Sequence, residues 1–488
     1  MRSLGCVLVG TVAAAQGGCG SGSAEPPSIQ ASPVALADPQ FASVLSYLQG
    51  KMTADQVPGA AIAVVRDGAL AFQAGIGVKQ RGEPGVVQAS TLFRVASLSK
   101  MVLAATAMKL VEQGKIDLSQ PVTHYIPFTL RAPFDPSTIS LDALLTHTSS
   151  IPDTNIEKLS CPVGFGQSAA WFALAGPVPL WSPPGSVWDY TNTEYALMGW
   201  VIESVTGRAY EDVATDLILG PAGMITATFD PAVAEAADHA VGYEGDFSLE
   251  PNAFDCSVER SPAGVIASVL DYAHFAEMLM SSGGSVLKPS SVVAMEAQRA
   301  QTDDYPGNTE QYGYGLYLHE GYVYRVWHSG NLEGYQTSIY MVPAQNWAVV
   351  VFYNSASGDP NDVSQFAVDT FLLPPTVKSP VLTTPMSTWT HYEGTYVDPY
   401  GIYENPSLAL APLLITGLGT ITVSLQDGGL FAQGSGPESP SAPFQLTQVA
   451  GDRFQGNFNG GLQDVTFYPD DAGTPSWFVT RVGVGVRQ

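Results

Sequence analysis

Charge is scarce in this sequence. Lys, Arg, Asp and Glu make up 13% of the 488 residues, about half of the roughly 25% usual in soluble domains. Basic residues are scarcer still, 20 against 45 acidic ones, for a formal net charge of −25. That shortage argues against a non-specific nucleic-acid binder, which neutralises phosphates with Lys and Arg. There are four cysteines and seven histidines, with no CxxC and no HExxH, so no metal site is expected. A Gly-rich phosphate loop is missing, and so is the G-x-S-x-G elbow of an α/β-hydrolase. No cofactor is expected. No run approaches the roughly 18 apolar residues of a membrane-spanning helix. Low charge here does not signal disorder, because 45% hydrophobic and 10% aromatic residues supply a large core. The length favours two or more domains.

Residues 1–19 read as an export signal. Arg2 precedes an apolar run, Leu4 to Ala15, that is too short to span a bilayer. Small residues lead to Cys19, and a Gly/Ser/Pro stretch follows, giving a flexible tether over residues 20–38. Cys19 resembles the lipidated residue of a bacterial lipoprotein, although Gln16 stands where such signals carry an apolar residue. Ordinary cleavage near Ala15 is the competing reading. The expected location is periplasmic, outer-membrane-anchored or secreted, with membrane contact only through the lipid. Cys161 and Cys256 would then meet an oxidising compartment. A bridge between them would close a loop of about 95 residues and contribute roughly 4 kcal/mol in the chain-entropy model. Two buried free thiols fit equally well.

The remainder divides into an α+β unit over residues 39–372, a Pro-rich linker over 373–388 and a small β-barrel-like unit over 389–488. Ala60–Val65, Arg66-Asp67-Gly68 and Ala69–Phe72 form the pattern of a β-hairpin with an Asp-Gly turn. Ser97 to Gln113 is apolar on nearly every face, as a buried central helix is, and Gly114 supplies its stop. Tyr322–Trp327, Tyr335–Val342 and Ala348–Tyr353 are strand-like. Strands at both ends with helices between predict one antiparallel sheet in which the terminal strands meet. After the linker come short β-like runs broken by Gly and Pro.

Three short motifs carry chemistry. Ser97-Leu98-Ser99-Lys100 opens the buried helix, where a residue three positions on lies one turn along the same face. A serine needs a base to become a nucleophile, and a buried lysine with a depressed pKa can serve. The same pattern recurs at Ser285-Val286-Leu287-Lys288, but flanked by Gly283-Gly284 and stopped by Pro289, so it reads as a surface turn. Tyr190-Thr191-Asn192 pairs a phenol that can shuttle a proton near two cations with an amide suited to a substrate amide or ester. His328-Ser329-Gly330 is expected at the end of the Tyr322–Trp327 strand, with Gly330 admitting substrate close to the backbone. The N–H groups of Asn331 and Ser97 would form an oxyanion hole.

In this order the motifs resemble the serine β-lactamase and penicillin-binding-protein family, its class C-like branch with related esterases and D-alanyl-D-alanine peptidases. The flanks agree: Phe93-Arg94-Val95-Ala96 before Ser97, Leu144-Leu145-Thr146-His147-Thr148-Ser149-Ser150-Ile151-Pro152, Pro184-Gly185 before Tyr190, and Gly334 after the third motif. The resemblance covers about residues 40–370, and Tyr392-Glu393-Gly394-Thr395-Tyr396 resembles the start of a lipocalin-like β domain that some members append. It implies a β-lactamase/transpeptidase-like fold. Ser97 would be acylated, Lys100 would activate it, and Tyr190 would act as acid and base. Asn192 would hold the substrate amide, while His328, Ser329 and Gly330 would line the third edge. His328 stands where many β-lactamases carry Lys, which favours neutral esters or amides over carboxylate-bearing drugs. Ser150 and Glu194 replace usual glycines without touching the expected chemistry, and His147 reads as structural.

The expected function is a serine acyl hydrolase acting through an acyl-enzyme, an esterase, β-lactamase or D-Ala-D-Ala peptidase. The alternative is a non-catalytic or weakly catalytic penicillin- or cell-wall-binding acyl sensor. Its partner would be a small-molecule or peptide acyl substrate. The C-terminal unit would bind a surface or cover the cleft.

Overall fold

The computed structural model describes residues 29–31, 38–131, 134–152, 169, 172, 177–178, 180, 182–245, 257–302, 310–319 and 323–372, then 389, 392–397, 420–426, 429–434, 443–450, 453–458, 461–469, 475–480 and 483–487. Cys19, Cys161, Cys256 and the expected linker lie outside the described residues. Among the described residues no helix is long and apolar enough to cross a membrane.

One antiparallel sheet organises the larger part. Its strands are β1 (Ile29–Ala31), β2 (Gly59–Arg66), β3 (Ala69–Gly77), β6 (Ala300–Gln301), β7 (Glu310–Tyr312), β8 (Tyr317–His319), β9 (Arg325–Leu332), β10 (Tyr335–Val342) and β11 (Trp347–Tyr353). They lie in the order β1-β3-β2-β11-β10-β9-β8-β7-β6. β4 (Phe93–Arg94) and β5 (Ile266–Ala267) form a separate two-stranded pair. Asp67 and Gly68 turn the β2–β3 hairpin with φ of 56° and 76°, as a tight Asp-Gly turn requires. β2 pairs antiparallel with β11, Ala60 opposite Tyr353 and Val65 opposite Ala348, so the two ends of the α+β unit meet as expected.

β2 is apolar without alternation because both of its faces are covered. Ile62 and Val64 pack with Phe41, Val44, Leu48, Val363 and Ala367, contributed by helix α1 (Pro39–Ala54) and a later helix, Pro360–Leu372. Ala61, Ala63 and Val65 belong to the opposite core, with Met101, Val102, Tyr195, Tyr272 and Phe275. That core holds α2 (Ser99–Glu112), α3 (Asn192–Thr206) and α4 (Val269–Met280). Gly114, at φ 67°, follows the end of α2. α3 is capped by the Thr191 side chain, and α4 by a Ser268–Asp271 capping box. α5 (Pro289–Met295) and α6 (Pro360–Leu372) complete the helices used below.

Three differences from the sequence reading have local causes. Part of the expected tether is a strand: Ile29–Ala31 pairs with Ala74–Ile76 and covers backbone groups on the edge of β3. The third motif lies inside β9, which runs on to Leu332, because pairing with β10 carries its polar residues along. Pro289 starts α5 instead of stopping a helix, with Lys288 as N-cap, a position where its missing N–H costs nothing.

The C-terminal part is a closed antiparallel barrel of β12 (Gly394–Val397), β13 (Thr420–Gln426), β14 (Gly429–Gly434), β15 (Phe444–Ala450), β16 (Arg453–Phe458), β17 (Gly461–Pro469), β18 (Pro475–Thr480) and β19 (Gly483–Arg487). β19 closes on β12 through Tyr396–Arg487 and Val397–Val486. Tyr392, Tyr396, Ile421, Val423, Leu430, Phe454, Val465 and Phe467 fill its core.

Candidate active site

The first motif does not begin as α-helix. Ala96–Leu98 forms a 3-10 turn that feeds into α2. Ala96 sits at φ 51°, in the left-handed region that costs an L-residue roughly 1–2 kcal/mol. The Ser99 hydroxyl holds the turn, donating to Ala96 O at 2.7 Å and accepting from Val265 N at 3.0 Å. Ser97 is half-buried beside it. β9 packs on this turn through Gly330, where any Cβ would collide with the Val95 carbonyl and the Thr337 hydroxyl. Thr337 itself donates to Val95 O at 2.9 Å. The sequence reading gave the bare Cα of Gly330 to substrate; the structure gives it to the backbone ahead of Ser97.

Lys100 has no exposed surface. Its Nζ lies 3.2 Å from Ser97 Oγ, 2.6 Å from Asn192 Oδ1 and 3.3 Å from Pro262 O. Asn192 Oδ1 and Pro262 O can take two N–H groups of the amine, which leaves its third position facing Ser97 Oγ. Nζ also lies 4.7 Å from the Tyr190 ring centre and 5.5 Å from that of Tyr195. The first two motifs therefore converge on one nitrogen, Asn192 standing at the first turn of α3. Asn192, expected to grip substrate, is engaged through its oxygen with the lysine.

His328 is buried, with Nε2 3.1 Å from the Tyr312 hydroxyl and Nδ1 2.6 Å from Ser329 O. Burial, helped by the Lys100 charge, pushes it down to about 3. It is therefore neutral near pH 7 and is not one of the two cations expected beside Tyr190. Tyr190 stacks on Tyr317 at 6.4 Å and lies 6.0 Å from His328, centre to centre. Along β9, His328 and Gly330 share a face, and Ser329 and Asn331 take the other. The two-residue turn after Leu332 makes Leu332–Tyr335 the closing bonded pair, so Ser329 and Asn331 direct their backbone groups away from β10.

Sequence reasoning missed what lies behind Tyr190. His147 is wholly buried, its ring 4.4 Å from that of Tyr190 and 5.0 Å from those of Tyr195 and Tyr312. Its Nδ1 is 2.5 Å from Glu194 Oε2. Glu194 is equally buried, and its Oε1 accepts from the Ser149 N–H and hydroxyl. Desolvation pushes His147 well down and Glu194 well up, both toward their neutral forms. Glu194, read as remote from the chemistry, thus contacts a side chain packed on Tyr190. Ser150 adopts φ 64°, the conformation that favours the glycine it replaces; its hydroxyl lies 2.6 Å from that of Ser182. Among the described residues no group of three or more His, Cys, Asp or Glu is placed to hold a metal ion.

A family description for beta-lactamases matches residues 44–371. Protein flp of Staphylococcus aureus (strain MW2) is 26% identical over 306 residues, covering 61% of this chain and 60% of that protein. Unguisins hydrolase ungD' of Aspergillus campestris is 27% identical over 349 residues, covering 65% and 62%. The chain thus spans about three-fifths of the length of these curated relatives. The octameric penicillin-binding protein homologue from Pyrococcus abyssi superposes with a TM-score of 0.63 at 24% identity, covering 88% of this chain and 96% of that one. SurE superposes with 0.67 at 22%, covering 92% and 99%. At those identities the likeness is one of fold.

Proposed function

The chain belongs to the beta-lactamase family, and from that premise we propose that it is a serine hydrolase cleaving ester or amide bonds through an acyl-enzyme on Ser97. The observation that carries this is the buried Lys100 Nζ, 3.2 Å from Ser97 Oγ and beneath the Tyr190 ring. Lys100, as the free amine, takes the Ser97 proton while Oγ attacks the substrate carbonyl carbon. The oxyanion accepts hydrogen bonds from the N–H groups of Ser97 and Asn331. Tyr190 passes a proton to the leaving alcohol or amine as its bond to carbon breaks. Water then adds to the acyl carbon, gives up a proton to the same groups and releases acid and Ser97. Asn192 holds Lys100 in place and offers its amide to the substrate.

The preferred substrates are short neutral esters. His328 is held uncharged and supplies no cation for a substrate carboxylate, so β-lactams should be poor. Export, lipidation at Cys19 and a catalytic unit at residues 39–372 followed by the barrel belong to the same proposal. One panel tests the activity: nitrocefin, p-nitrophenyl acetate and butyrate, and a D-Ala-D-Ala peptide, each with wild type and Ser97→Ala. Turnover of the short esters that disappears with Ser97→Ala supports the reading, and turnover that persists overturns it. Stoichiometric labelling of Ser97 without turnover would make the protein an acyl sensor. Metabolic labelling with palmitate, lost in Cys19→Ala, tests the anchor.

A further inference from the structure

The segment around His147 is tied to the segment around Tyr190 at four points. The Asp189 N–H donates to the His147 carbonyl at 2.9 Å. The Thr191 N–H donates to His147 Nδ1 at 3.3 Å. The Ser149 N–H and hydroxyl donate to Glu194 Oε1 at 3.1 and 2.5 Å. Glu194 Oε2 closes the ring of contacts on Nδ1 at 2.5 Å. Tyr190 is enclosed by these ties, with the imidazole on one side and the Lys100 amine on another.

The short Nδ1–Oε2 contact places one shared proton between the imidazole and the carboxyl. Burial disfavours charge on both groups. The ionisable groups around the couple are Lys100, His328, Asp189, Tyr190, Tyr195 and Tyr312. Asp189 disfavours a carboxylate at Glu194.

We propose that His147 and Glu194 are positioning residues for Tyr190, a hydrogen-bonded clasp from two distant segments that fixes the phenol beside Lys100. This rests on the reading of Tyr190 as the proton carrier. The clasp holds the ring through packing and hydrogen bonds.

Glu194→Gln keeps the shape, its amide N–H donating to Nδ1 and its carbonyl accepting from Ser149. Glu194→Ala removes both contacts. With p-nitrophenyl butyrate, a folded Glu194→Ala should lose about 10- to 100-fold in kcat with KM within about threefold, the scale of a misplaced reacting group. Glu194→Gln should restore most of that loss. The rate of Ser97 labelling by a fluorophosphonate should follow the same order. The clasp is overturned if Glu194→Ala keeps wild-type kcat, if only KM changes, or if Gln is as damaging as Ala. Should Glu194→Ala fail to fold, Ser149→Ala loosens the same carboxyl more gently. It should lower kcat a few-fold, and an unchanged kcat rejects the clasp. Ser97→Ala run alongside separates the two ideas: if it retains turnover, the reading of the site fails. If it is inactive while Glu194→Ala matches wild type, the clasp alone fails.

Discussion

Ser97-x-x-Lys100 and Ser285-x-x-Lys288 are one pattern in two settings. Lys100 stands in the first turn of α2 with no exposed surface, its amine between Ser97, Asn192 and Pro262. Lys288 is exposed, its backbone extended at ψ 147°, and its N–H bonds Glu112 at 2.6 Å. Ser285 follows Gly283 and Gly284, both at positive φ, and faces solvent. The spacing is therefore inert by itself. What sets the first copy apart is a helical turn that aligns the two side chains, burial of the amine, and partners delivered by remote chain.

The largest test of that contrast is a paired substitution. Ser97→Ala should abolish p-nitrophenyl butyrate turnover and Ser285→Ala should leave kcat/KM at wild type; comparable losses would erase the distinction. Next, Lys100→Ala and Tyr190→Phe should each reduce kcat/KM by roughly 10²–10⁴-fold, while Lys288→Ala changes it less than about twofold, within the range of ordinary surface substitutions. Gly330→Ala probes how β9 seats the Ser97 turn. The added methyl meets backbone, so a stability loss of roughly 1–3 kcal/mol is expected, seen as a lower Tm; an unchanged Tm would mean that strand and turn part easily.

The last test is a pH dependence of stability. Folded His328 titrates at about 3, against 6.5 ordinarily. Between those values the unfolded chain binds more protons, so this contribution is full above 6.5 and is lost as pH falls through the window, by up to about 1.4 kcal/mol per pH unit. His328→Gln should make the decline in Tm from pH 7 to pH 4 shallower than in wild type. Identical declines would show that the imidazole is not kept neutral by its surroundings.

Legibility in the sequence followed locality. Tyr335–Val342 was readable to the residue because β-branched and aromatic side chains run up to a tight turn. The β12–β19 barrel was legible as a type, since short apolar runs separated by Gly and Pro suit nothing longer. β9 was placed too early because His328-Ser329-Gly330-Asn331 carries no strand propensity, and its pairing with β10 decides the matter. That Ser97, Lys100, Tyr190 and Asn192 come together was recoverable from motif order. His147 and Glu194 were not, since 47 residues separate them and no periodicity links them. The one available signal was the pair of departures: Glu194 itself, and Ser150, next to the Ser149 that donates to the Glu194 carboxyl.

β1 sets the length of a leash. If Cys19 carries a lipid, residues 20–28 alone separate the bilayer surface from the sheet edge at Ile29. Fully stretched, they reach about 30 Å, whereas a free stretch to residue 38 would reach about twice as far. The protein would then work only in the thin layer of solution next to the membrane, and lengthening that segment with Gly and Ser would widen its territory without altering its chemistry.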